Sequence, residues 1–179
     1  MKHEEASFEG VNGFKIYYQS WKPDSDKPKA SILVCHGAAE HSGRYLNVIN
    51  TLVPAGYIIY AYDLQGHGKS EGERGFVERF SDYIENLHIF RQIVQEQEPN
   101  LPLFILGHSM GSFIAQQYVA SHPKGLNGLI LSASGTRIGE NINILLVLPS
   151  KIVTKLAPRK SIDPKLYKSI SRDNEVAKA

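Results

Sequence analysis

An α/β fold, with a mostly parallel sheet covered by helices on both faces, is predicted by three features of the sequence. Four short apolar runs, Ser31 to Cys35, Tyr57 to Tyr62, Leu103 to Leu106 and Leu129 to Leu131, are too short for helices and read as buried strands. The segments between them carry apolar residues at helical spacing. A Gly-x-Ser-x-Gly pentad, residues 107 to 111, follows the third run, where a strand must turn sharply into a helix.

The elements follow in order. Phe14 to Trp21 is rich in aromatics, comes after the turn-prone Asn12-Gly13 and ends at Lys22-Pro23, which predicts a hairpin strand. A polar loop, Asp24 to Lys29, leads into the first buried run. Leu46, Ile49, Leu52 and Val53 then form one helical face, closed by Gly56. Phe80, Tyr83, Ile84, Leu87, Phe90 and Val94 form a second, closed by Pro99, and a third helix runs from Ser109 to about His122. Strands alternating with amphipathic helices imply crossover connections and a parallel sheet, and such sheets bind ligands at the carboxyl ends of their strands. After Ser134 the pattern changes. The apolar stretch Ile142 to Leu148, the breaker Pro149, the short pattern Ile152, Val153, Leu156, and the N-cap pair Asp163-Pro164 suggest an inserted helical segment.

Composition narrows the function. The chain has 179 residues and a formal net charge of +2, too little to argue for nucleic acid as a partner. No zinc-type Cys/His spacing and no phosphate-cradling Gly-Lys loop is present in the sequence. The single cysteine, Cys35, lies in an apolar run and is expected in the core, which fits a reducing, cytoplasmic setting. The first five residues mix charges and do not resemble a secretory signal. The longest apolar stretch falls far short of the roughly 20 residues of a spanning helix, so any membrane contact would be peripheral.

The pentad Gly107-His108-Ser109-Met110-Gly111 carries the chemistry. By composition such a pentad arises by accident in roughly one chain in twenty of this length, so its placement between a strand and a helix is the stronger argument. The turn strains the serine backbone, and glycines two before and two after remove side chains that would collide with neighbouring strand and helix. Ser109 is then a nucleophile lifted above the sheet at a helix N-terminus; the alternative is an inert serine on a glycine-rich turn. A tetrahedral acyl intermediate needs two backbone N–H donors. Met110, just after the serine, supplies one, and the loop after the first buried strand supplies the other, with Ala38 the best candidate. Without the pentad, His36-Gly37 would read as an ordinary strand-ending turn. The glycine-dense loop Tyr62 to Gly72 lacks the dinucleotide fingerprint, and its Asp63 and His67 are expected to hydrogen-bond within the loop.

Together, residues 36 to 45 (His-Gly-Ala-Ala-Glu-His-Ser-Gly-Arg-Tyr), residues 66 to 75 (Gly-His-Gly-Lys-Ser-Glu-Gly-Glu-Arg-Gly) and the pentad resemble the monoacylglycerol lipase and lysophospholipase branch of the α/β-hydrolase superfamily. Ile162-Asp163-Pro164 and Ser171-Arg172-Asp173 resemble the cap of its bacterial members. The resemblance implies residues 1–137 as the N-terminal part of an α/β-hydrolase core and 138–179 as the first part of a helical cap. It implies Ser109 as nucleophile, Ala38 and Met110 as oxyanion donors, and hydrolysis of a small lipid ester through an acyl-enzyme. Glu40 and Arg44 would shape the polar end of the substrate site or form an ion pair within their loop. No metal or organic cofactor is implied.

The triad order of this fold is Ser, then Asp or Glu, then His. After Ser109 the only histidine is His122, roughly 20 Å away along the same helix at about 1.5 Å per residue. The later carboxylates, Glu140, Asp163, Asp173 and Glu175, fall in the inserted segment rather than at a strand end. The expected acid and base therefore lie beyond residue 179, in a missing C-terminal portion of the same enzyme, and the last strand is left as an open edge. The basic residues Lys151, Lys155, Arg159, Lys160, Lys165, Lys168 and Arg172 suit either a lid that meets a lipid surface or a cap with solvated lysines. A non-catalytic binding protein, a thioesterase or a peptidase of the same fold remains the alternative.

Overall fold

A computed structural model describes residues 1–134. The cap expected over residues 138–179, with its basic residues, lies outside the described residues, as does the expected 137/138 boundary. Six strands form one sheet in the order β1-β2-β4-β3-β5-β6. The strands are β1 (Lys2–Glu9), β2 (Lys15–Lys22), β3 (Ala30–Cys35), β4 (Tyr57–Tyr62), β5 (Leu103–His108) and β6 (Gly128–Ser132), and the helices α1 (Leu46–Leu52), α2 (Phe80–Gln97) and α3 (Met110–Ser121). β1 and β2 pair antiparallel, β2 joins β4 antiparallel, and β4, β3, β5 and β6 run parallel. All four apolar runs are strands of the parallel part; the first three are largely buried as expected, but in the fourth Ile130 and Leu131 are exposed, because β6 is an outer strand of the described sheet.

Because side chains alternate along a strand, the central strands feed two cores. Leu33 and Cys35 of β3 and Ile58, Tyr60 and Tyr62 of β4 pack with Phe90 of α2 and Ile114 and Tyr118 of α3. On the other face Ile32 and Val34 of β3 and Ile59 and Ala61 of β4 pack with Ile49 of α1 and Val53. β1 is the element that sequence patterning does not reveal. Seven of its eight residues are exposed and only Phe8 is buried, so it has no apolar alternation. Full backbone pairing with β2, from Lys2 opposite Lys22 to Glu9 opposite Lys15, forms it instead. Its charges suit the outermost position of a sheet.

The strand order fixes where a ligand can enter. The chain leaves β3 for α1 on one face and leaves β5 for α3 on the other, so the loops after these adjacent strands part and open a crevice between them. Such a switch point is the usual ligand position in an open α/β sheet. Cys35 of β3 lies beside Gly107 of β5 in the register, which brings residues 36 to 38 next to residues 108 to 110.

Candidate active site

Ser109 occupies the turn between β5 and α3. Its φ of 49° and ψ of −118° fall where a β-carbon is resisted, and it is held there from both ends. Its N–H donates to the Ser132 carbonyl at 3.0 Å, while its own carbonyl accepts from the Ser112 N–H at 2.9 Å and the Ser112 hydroxyl at 2.5 Å. The flanking glycines are needed for space. A β-carbon on Gly107 would stand 2.6 Å from the Gly111 carbonyl oxygen and 2.7 Å from the Ser112 Cα. One on Gly111 would overlap the Cys35 carbonyl and stand 2.5 Å from that of His36. Helix α3 therefore starts pressed against the end of β3, and Met110, its first residue, has an N–H with no carbonyl partner inside the helix.

Facing this turn is the loop after β3. A β-carbon on Gly37 would lie 3.1 Å from Ser109 Cβ. The next residues turn back tightly, with Ala38 and Ala39 exposed and Ala39 at φ 57°. The register of β3 and β5 and the glycines at 37 and 111 thus bring Gly37, and with it the start of the loop that carries Ala38, against Ser109 at the head of α3.

Three side chains fix the loop, and a fourth acts in the loop beside it. The His36 ring, fully buried, accepts the Leu64 N–H at Nε2 over 2.9 Å and donates from Nδ1 to the Gly37 carbonyl over 2.7 Å. Burial pulls its pKa down to about 4, so the ring is neutral at pH 7. Glu40 Oε2 accepts from the Gly37 N–H and from the Tyr45 hydroxyl, each at 2.9 Å, and its Oε1 lies 4.0 Å from His108 Nε2. Asp63 ties this loop to the next, accepting the Ser42 N–H at 2.6 Å and the Lys69 N–H at 2.7 Å. His67 Nδ1 bonds the Gln65 carbonyl at 3.1 Å, and burial lowers its pKa as well. His67 therefore bonds within its own loop, as expected, whereas Asp63 departs from that expectation and also bonds the loop after β3. Arg44 is half-buried in the 3₁₀ turn Ser42–Tyr45. Tyr45 and His108, which sequence reasoning did not assign, join the site through Glu40.

No base faces the serine among the described residues. The chain has seven histidines, all within residues 1–134, and each is engaged elsewhere. His3 bonds Gln19, His41 accepts the Gly43 N–H, His88 meets the Tyr118 hydroxyl, and His108 bonds the Ser132 hydroxyl. His122 stacks on Tyr118 and His88 at the far end of α3, as its place in the sequence required. Cys35 is no alternative nucleophile, because full burial pushes its thiol up to about 12. Among the described residues no His, Cys, Asp and Glu group is arranged to hold a metal, and no helix is long and apolar enough to cross a membrane.

The sequence matches the family described as serine aminopeptidase, S33, over residues 26–179. It is 37% identical over 175 residues to the monoacylglycerol lipase of Mycolicibacterium smegmatis, covering 98% of this chain and 62% of that protein. It is 36% identical over 155 residues to human monoglyceride lipase, covering 86% of this chain and 51% of that protein. The structure resembles a thermostable carboxyl esterase from Bacillus coagulans in complex with glycerol, with a TM-score of 0.76 at 34% identity, covering 97% of this chain and 59% of that one. The chain thus spans between half and two thirds of the length of these three relatives.

Proposed function

Because this chain belongs to the serine aminopeptidase S33 family and has the α/β-hydrolase fold, we propose that Ser109 is the nucleophile of a serine ester hydrolase whose substrates are glycerol mono-esters or related lysophospholipids. The observation that carries the reading is the strained Ser109 at the head of α3, with the loop bearing Ala38 directly against it. Its relatives named monoacylglycerol lipase and monoglyceride lipase, and a neighbouring esterase holding glycerol, support the choice of substrate.

In this reading the Ser109 Oγ attacks the ester carbonyl and its proton passes to a base. The N–H groups of Ala38 and Met110 receive the charge that develops on the carbonyl oxygen. The alcohol leaves with a proton, an acyl-serine remains, and water resolves it. Glu40 and Arg44 border the alcohol side of the crevice. With Glu40 Oε2 given to Gly37 and Tyr45, Oε1 retains capacity to accept a glycerol hydroxyl. With each of the seven histidines bonded elsewhere and the carboxylates after Ser109 expected in the cap rather than at a strand end, this reading assigns the triad acid and histidine to sequence beyond residue 179, in the order this fold uses. Residues 1–179 alone are then expected to turn over esters very slowly, since an unassisted serine hydroxyl is a weak nucleophile.

Comparing the whole protein on a monoacylglycerol and on an aminoacyl anilide tests the proposal, the second substrate being the one suggested by the family description. The monoacylglycerol should be hydrolysed, and Ser109→Ala should reduce turnover by at least about a thousandfold. Preferential cleavage of the anilide would make the protein a peptidase. Hydrolysis of neither would favour a binding protein of the same fold.

A further inference from the structure

We propose that His36 is a positioning residue for the oxyanion hole, acting through a rigid peptide: by holding the Gly37 carbonyl it aims the Ala38 N–H. The proposal rests on the reading of Ser109 and Ala38 given above and adds a residue to it.

The need for such a residue comes from Gly37. Its missing side chain lets the loop come against Ser109, where a β-carbon would meet Ser109 Cβ at 3.1 Å and Glu40 Oε2 at the same distance. A glycine that permits this approach is also free to rotate about φ and ψ, and both peptides flanking it would wander without outside restraint. Each is restrained by a side chain. Glu40 takes the Gly37 N–H of the first peptide, and His36 takes the Gly37 carbonyl of the second.

The second restraint has a direction. The peptide joining Gly37 and Ala38 is planar and trans, so its C=O and N–H point opposite ways. Turning the Gly37 carbonyl toward the His36 ring turns the Ala38 N–H away from it. The ring is itself fixed. Because Leu64 N–H donates to Nε2, the proton must reside on Nδ1, the nitrogen 2.7 Å from the Gly37 carbonyl. Complete burial and edge packing on His67, with ring centroids 5.4 Å apart, hold the ring in this orientation. One side chain therefore links the β4 loop, through Leu64, to the direction of a proposed transition-state donor.

Two near-isosteric substitutions separate its halves. In His36→Asn the amide nitrogen can replace Nδ1 as donor to Gly37, while the acceptor for Leu64 is lost. In His36→Gln the amide oxygen can replace Nε2 as acceptor for Leu64, while the donor to Gly37 is lost. With the whole protein and a monoacylglycerol, His36→Gln should lower kcat by about 10- to 100-fold, short of the loss of a complete donor, with KM changed less than about threefold. His36→Asn should stay within about threefold of wild-type kcat. Equal losses in both variants, or an unchanged kcat in His36→Gln, would overturn the proposal and leave His36 a structural residue. Should His36→Gln fold poorly, the ring ¹⁵N shifts of the wild type provide the second test: the Nδ1–H tautomer at pH 7 supports the proposal, and the Nε2–H tautomer or an imidazolium overturns it. A wild type that neither hydrolyses ester nor acylates at Ser109 would overturn the nucleophile reading itself, and this proposal with it.

Discussion

Ser109 has a backbone conformation that glycine enters readily and other residues enter at a cost of about 1–3 kcal/mol. The hydrogen bonds to Ser132 and Ser112 hold it there, so the strain is stored by its neighbours. At an ordinary site alanine is more stable than glycine by roughly 0.5–1 kcal/mol, through the entropy of the unfolded chain. Here the order should reverse, because the β-carbon of alanine keeps the strain and glycine releases it. Ser109→Gly is therefore expected to unfold about 1 kcal/mol later than Ser109→Ala in urea. If the alanine variant is the more stable, the turn is not strained. His36 shows what the sequence leaves hidden at this scale. A histidine ending an apolar run reads as a turn residue, and its effect on the next peptide depends on which nitrogen carries the proton. That follows from a contact with Leu64, 28 positions away.

At the scale of elements, the site depends on how closely α3 and the loop after β3 can approach. Gly111→Ala would drive a β-carbon into the Cys35 and His36 carbonyls, both at the end of a central strand with no room to retreat. Overpacking of this kind costs about 1–3 kcal/mol where side chains can shift. Against backbone the cost should reach at least about 3 kcal/mol, measurable by thermal unfolding, and a loss below about 1 kcal/mol would show that the junction is loose. Much of this was legible beforehand. The four apolar runs, the three helices and the pentad are encoded in local pattern, whereas the pairing of β3 with β5 is long-range and emerges only in the folded sheet. β1 was not legible, because its exposed, charged residues carry no alternation and its pairing with β2 supplies the order. Glu40 could be placed near the site but not given its partners, since its bonds to Gly37 and Tyr45 arise from the fold of the loop rather than from spacing.

Considered as a whole molecule, the chain places a strained serine, two candidate donors and a fixed loop at the switch point of a six-stranded sheet. Beyond them β6 forms an outer edge of the described sheet, with Ile130 and Leu131 exposed. The catalytic reading requires that an acid and a histidine join Ser109 from sequence outside these residues, since every histidine of the chain is engaged elsewhere. Labelling the whole protein with a fluorophosphonate and mapping the adduct by mass spectrometry tests this most directly, because such probes react rapidly only with a serine that has both a base and an oxyanion hole. The account predicts one adduct per molecule, on Ser109, abolished in Ser109→Ala. A folded protein that hydrolyses monoacylglycerol yet is modified at another serine, or remains unmodified, would contradict it.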